Sequence, residues 1–253
     1  MDGSDKTAVG GIKEGFPATQ WTELRDYRQS DIPQKKVIIE KLAQKYWRPV
    51  YTWLCRKGYG MEQAQDLTQS FFCNIILSRD LIHRADQSKG RFRTFLLNAL
   101  KAHVSDEHRR ASAKKRFPVD GFLSFDASNM QAHCPKTVSP DEAFHYTWAS
   151  NLLNEVIQRL EEEYKDNNRQ VHWQVFEEKI LNPILHDSPN PSYVELRNKY
   201  HIADVQKAAA MTTTVKRRFR TLLIDTVRPY VASDPDVEDE IGELLQIFSK
   251  GHA

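Results

Sequence analysis

Two kinds of side chain alternate with helical spacing between Val205 and Val227. Ala208, Met211, Val215, Phe219 and Leu222 fall on one side of a helix turning about 100° per residue, while Gln206, Ala210, Thr213, Arg217 and Arg220 fall on the other. A face of amides, hydroxyls and guanidinium groups with an apolar back is what a helix needs to sit in a DNA groove, where it donates to base edges and phosphates. The run Thr212-Thr213-Thr214 fits that use, because β-branched residues lower helix propensity and make poor structural filler. Tyr193 to Tyr200 reads as a preceding helix and His201 to Asp204 as a turn, which together predict a helix-turn-helix. Any helical hairpin with a solvated basic face would show the same pattern.

A second cationic stretch lies earlier in the chain. Lys101 to Arg116 carries six Lys or Arg against two acids, and Lys207 to Arg220 carries five basic residues and no acid. The compensating acids cluster at Glu161-Glu162-Glu163 and from Asp234 to Glu243. Such segregation in a chain of net charge +2 points to local polyanion contact rather than a generally sticky surface. Just before the first stretch, Ala85-Asp86-Gln87-Ser88-Lys89-Gly90-Arg91-Phe92-Arg93-Thr94-Phe95-Leu96 mixes aromatic and cationic groups around a loop. That chemistry suits extruded bases, since stacking contributes on the order of 1–3 kcal/mol per base.

Other chemistries find little support. His83, His103, His108, His133 and His145 are scattered, with no His-x-x-x-His beside an acid for a zinc hydrolase. No Gly-rich phosphate loop and no motif-placed Ser/His or Cys/His pair occurs, so neither an enzyme nor a cofactor is expected. His103 reads as a core or boundary histidine. Cys55, Cys73 and Cys134 are odd in number and widely spaced, which suggests a reducing cytoplasm. No apolar run approaches the roughly 20 residues of a membrane span, and the polar start of the chain has no apolar segment for a secretion signal.

The elements that would position these groups are helical. With 253 residues, 40% apolar and 28% charged, the chain can bury a sizeable core. Leu42, Tyr46, Trp47, Val50, Tyr51 and Leu54 mark a helix from about Ile32 to Lys57, closed by Gly58-Tyr59-Gly60. Ala64, Leu67, Thr68, Phe71, Phe72, Ile75 and Ile76 mark the next. A third carries Phe92, Phe95, Leu96, Ala99, Leu100 and Val104 and grades into the basic stretch. Phe117 to Ser139 lacks helical period and reads as a linker. Pro140, Asp141 and Glu142 start a new helix, whose stripe is Phe144, Trp148, Leu152, Leu153, Val156 and Leu160. Another helix is expected over Val171 to Leu181 and a tail helix over Val237 to Phe248. The predicted class is all-α: two helical domains joined by a flexible linker, with residues 1–14 a disordered lead-in, 15–116 and 140–253 the domains, and 117–139 the linker.

Several segments in this order resemble extracytoplasmic-function sigma factors of bacterial RNA polymerase, and most nearly the planctomycete-like sigma family. Ala64-Gln65-Asp66-Leu67-Thr68-Gln69-Ser70-Phe71-Phe72 is similar to that family's polymerase-binding helix. Phe16, Thr19 and Trp21, then Tyr46, Trp47, Pro49 and Tyr51, then Arg217-Arg218-Phe219-Arg220-Thr221-Leu222-Leu223, match further segments. Phe95 stands where many members have Trp, Ala102 where they have Asn, and Tyr200-His201 where a Leu-Gly pair is usual.

The resemblance implies a region 2 bundle and a region 4 helix-turn-helix that direct promoter recognition, melting and transcription initiation. It implies that Asp66, Leu67, Gln69 and Phe72 meet the clamp of the polymerase largest subunit, with a second contact to the flap of the second subunit. It assigns minus-ten DNA to Gln87, Lys89, Arg91, Arg93, Phe95, Lys101, Arg109 and Arg110. Minus-thirty-five DNA falls to Gln206, Lys207, Thr213, Thr214, Arg217 and Arg220. An anti-sigma factor is a further partner of such proteins. Two other readings stay open: a stand-alone helix-turn-helix regulator, and a degenerate family member serving as a protein-interaction scaffold.

Overall fold

The computed structural model describes residues 32–73, 91–113, 139–231 and 235–251. Among these residues all regular structure is helical: α1 Ile32–Arg56, α2 Met61–Phe71, α3 Phe92–Ala113, α4 Pro140–Asp166, α5 Gln170–Phe176, α6 Asn182–Leu185, α7 Tyr193–Lys199, α8 Val205–Val227 and α9 Pro235–Gly251. The all-α expectation holds for them. The expected lead-in over 1–14, the segment from Phe16 to Trp21, the loop residues Gln87 and Lys89, and the linker as far as residue 138 lie outside the described residues.

Local chemistry sets the helix ends. Gly58, at φ +100°, closes α1: its N–H reaches Cys55 O at 3.1 Å and the Tyr59 N–H reaches Leu54 O at 3.2 Å, the paired bonds of a left-handed cap. Ser139 and Glu142 form a reciprocal capping box at the start of α4, with Pro140 in the first turn. Ser192 and Glu195 do the same for α7. The helix expected over Val171 to Leu181 instead changes register at Glu177–Leu181, a π-helical turn that leads into α6. Pro183 lies just beyond and has no N–H to continue an α ladder.

Packing runs across the expected domain boundary. The most extensive helix pair is α1 with α4, one from each side of residues 117–139. Tyr46 of α1 stacks on Phe144 of α4 with ring centroids 6.5 Å apart, and meets Phe92 of α3 edge-on at 5.6 Å. The Trp53 indole N–H donates to Asp141 at 2.9 Å. The main core therefore draws on both blocks, from Leu42, Trp47 and Leu54 through Phe144, Trp148 and Leu152 to Val215, Leu222 and Leu244. A smaller core of Val175, Leu196, Ile202, Ala208 and Met211 lies beneath α7 and the start of α8. The expected boundary thus divides the sequence without dividing the main core.

Candidate nucleic-acid interface

Two helices joined by a short turn, α7 and α8, form where the sequence places them. Asp204 caps α8 by accepting the Lys207 backbone N–H at 2.6 Å. The turn between the two helices has no glycine: His201 takes φ +52° while the Ile202 N–H reaches back to Arg197 O at 3.0 Å. Histidine is among the residues that enter the left-handed region more readily than most. Ile202 then drops into the smaller core beside Leu196 and Ala208.

The division of α8 into two faces follows. Ala208, Met211, Val215 and Leu222 are buried and Phe219 is half-buried, whereas Gln206, Lys207, Ala210, Thr213, Arg217 and Arg220 are exposed. Thr214 is half-buried. The Thr213 and Thr214 hydroxyls donate to Ala209 O and Ala210 O at 3.0 and 2.9 Å. Glu163 of α4 grips Arg218 with both carboxylate oxygens at 2.7–2.9 Å, which holds the guanidinium pKa above its ordinary value and fixes α8 to α4. The same packing brings Arg169, from the turn after α4, into a shallow cleft with Thr214 and Arg217. Sequence reading did not single out Arg169, since only the fold brings it beside α8.

The earlier cations are placed differently. Arg93 is 4% exposed and ion-paired to Glu240 of α9, which is wholly buried; Arg93 also reaches Glu243 at 2.8 Å and lies 4.4 Å over the Trp148 ring. Burial, followed by the like charge of Arg91, pushes the Arg93 guanidinium pKa down to about 10, so it remains a cation at neutral pH. Arg91 Nε sits 2.6 Å from Glu240 in an ionic contact and its guanidinium also meets Glu243. Lys101 pairs with Asp141, and Arg109, 80% exposed, pairs with Asp106 on its own helix. Phe95 is half-buried, packed 6.2 Å from Phe92. Arg110 lies within α3. The residues expected to meet minus-ten DNA are therefore split: Arg109 is exposed, Lys101 is half-exposed, Arg91 is partly covered and Arg93 is inside. Arg93, expected among the minus-ten residues, is buried beside Glu240. Arg220 is tied to the same tail helix through Glu238 at 3.1 Å, though both side chains stay exposed.

On α2, Asp66 is exposed, Gln69 is half-buried one turn further on the same side, and Leu67 is half-buried against the main core. Phe72 is 1% exposed and stacks on Trp47 with centroids 5.6 Å apart. Phe72, expected among the polymerase-binding residues, supports α2 from inside. His103 is buried against Phe71, with Ser70 Oγ 3.3 Å from its ring nitrogen.

Sequence reading also missed the carboxylates that receive these cations. A signal for one existed. Val237, Glu240, Ile241 and Leu244 follow the i, i+3, i+4, i+7 spacing of a buried stripe, so Glu240 was the acid on the inward side. Among the described residues no cluster of His, Cys, Asp or Glu could hold a metal ion, and no helix is long and apolar enough to cross a membrane. Burial raises the pKa of the Cys55 and Cys73 thiols, the opposite of an activated nucleophile.

His145, beside this cluster, gives a pH dependence. Burial, then the positive charge of Arg93, pushes its imidazole down to about 4; Lys101 and Arg91 act the same way and Asp141 opposes them. Burial alone would raise the Asp141 carboxyl, but Lys101 and the Trp53 N–H outweigh it and hold it below its usual value. The unfolded chain binds the His145 proton near pH 6.5 and the folded chain does not, so its contribution is complete above pH 6.5 and is lost as pH falls toward 4. Between pH 7.5 and 5.0 urea midpoints should fall by the equivalent of about 1 kcal/mol, a figure discounted for the ring's partial exposure. His145→Phe should remove that part of the slope, and an unchanged slope would contradict the assignment.

No family model, no curated protein and no solved structure matches this chain.

Proposed function

We propose that this chain is a sigma-type subunit that binds core RNA polymerase and directs promoter recognition, melting and initiation. The observation that carries the reading is α8: its apolar side is buried while Gln206, Lys207, Thr213, Arg217 and Arg220 all face outward on the second of two helices joined by a short turn, a pair we read as a helix-turn-helix. Support of a second kind comes from α2, where the side bearing Asp66 and Gln69 belongs to the segment that resembles the polymerase-binding helix. The duplex would lie along α8, with Arg169 and Arg217 set to meet its phosphates. Arg91, Arg93, Lys101 and Arg109 would hold the melted strand beside Phe95, with chemistry left to the polymerase. The cytoplasm, where polymerase works, is the proposed location.

In vitro transcription with bacterial core polymerase and genomic fragments tests the whole reading: defined starts should appear only when the chain is added. Asp66→Ala with Gln69→Ala should abolish retention on core polymerase while leaving duplex binding intact. Arg217→Ala should weaken duplex binding about tenfold and lower the salt slope by about one unit. A flat salt response would sink the DNA-binding assignment.

One observation favours a second reading, a stand-alone duplex-binding regulator. The front of α8 is exposed, with only Arg220 among its named cations meeting Glu238, while Arg91 and Arg93 are occupied within the protein. Duplex binding without any retention on core polymerase would select it.

A further inference from the structure

Three arginines assigned to DNA, two at the start of α3 and one on α8, meet acids of a single helix. α9 supplies Glu240 to Arg91 and Arg93, Glu243 to both, and Glu238 to Arg220. Asp236 and Asp239 add to the same anionic helix, whose carboxylates offer guanidinium groups the geometry that phosphates offer. Beneath the charges α9 is seated by an apolar stripe: Val237 and Leu244 are buried, and Phe248 meets Tyr146 edge-on at 5.6 Å.

We propose that α9 is a built-in competitor for nucleic acid, a C-terminal strap that occupies the cationic surface until DNA displaces it. The proposal rests on the nucleic-acid reading above. Arg93, 4% exposed beneath Glu240 and Trp148, reaches a phosphate only when α9 lifts. Strap and strand therefore exclude each other at Arg91 and Arg93, and Arg220 loses its Glu238 pairing when duplex arrives. Apparent DNA affinity is lowered by the fraction of molecules in which the strap is open. In a polymerase complex, displacement of α9 would couple holoenzyme assembly to strand capture.

The test measures binding of a labelled forked duplex by the full chain, together with amide exchange across 235–251. Glu238→Gln with Glu243→Gln removes the two more accessible acids; both side chains are partly exposed, so the fold is not at risk. Glu240→Gln is the stronger but riskier variant. As a control for net charge, Glu155→Gln with Glu162→Gln removes two exposed acids of α4. The strap variants should bind about tenfold more tightly than the unaltered chain and the control within about twofold of it. DNA should also speed exchange in 235–251 of the unaltered chain. If strap variants, control and unaltered chain bind equally, with 235–251 protected throughout, the strap is overturned and DNA binding stands. If none binds at low salt although the variants loosen α9, the nucleic-acid reading fails and the strap fails with it.

Discussion

Arg93→Ala is expected to lower the free energy of unfolding by about 3–5 kcal/mol. The reason is less the loss of attraction than what remains: a Glu240 carboxylate with no exposed surface, left with only Arg91 at its rim. The Trp148 face loses its cation as well. Replacing both partners by apolar residues of similar length, Arg93→Met with Glu240→Leu, should recover most of the loss, because two buried charges and their desolvation disappear together. Urea unfolding of the two variants reads this directly. A cost below about 1 kcal/mol for Arg93→Ala would mean that water reaches the pair and that α9 is not held as described.

Phe144→Ala should cost about 3–5 kcal/mol, the range for removing a wholly buried ring. Its particular consequence is where the loss is felt. Phe144 lies between Tyr46 of α1 and the rest of α4, so the cavity opens at the joint between the two blocks. Hydrogen exchange should quicken in α2 and in α8 together, since both rest on one core. Loss of protection in α8 alone would show two cores that unfold independently. A double-mutant cycle with Tyr46→Ala should return a coupling of about 0.5–1.5 kcal/mol for the ring pair.

Helices could be read from the sequence because each is declared by short-range signals. The α8 stripe, the Pro140 start and the Gly58 stop are all decided within a turn or two of chain, and the structure places α8 at Val205–Val227 as expected. The outward residues of α8 could be read for the same reason. What could not be read is where cations go once helices pack. Arg93 looks no different from Arg109 along the chain, yet one is 4% and the other 80% exposed. The difference comes from α9, about 150 residues later, whose Glu240 meets Arg93 only in the folded state. The acids from Asp234 to Glu243 were visible as a compensating charge; their destination was not. The stacking of Phe72 on Trp47, 25 positions earlier, could not be read from its motif position for a related reason.

On the proposed DNA-binding reading, the threonines of α8 carry a consequence for base choice. Because the Thr213 and Thr214 hydroxyl protons are committed to Ala209 O and Ala210 O, the exposed Thr213 and the half-buried Thr214 would offer a DNA groove acceptor lone pairs and methyls but no hydroxyl proton. Such a surface can accept from the exocyclic amines of adenine or cytosine and pack on the thymine methyl, but it has no proton for the acceptor edge of guanine. Discrimination at those base steps would then work by exclusion, with a purine bearing only acceptors finding no answering donor there.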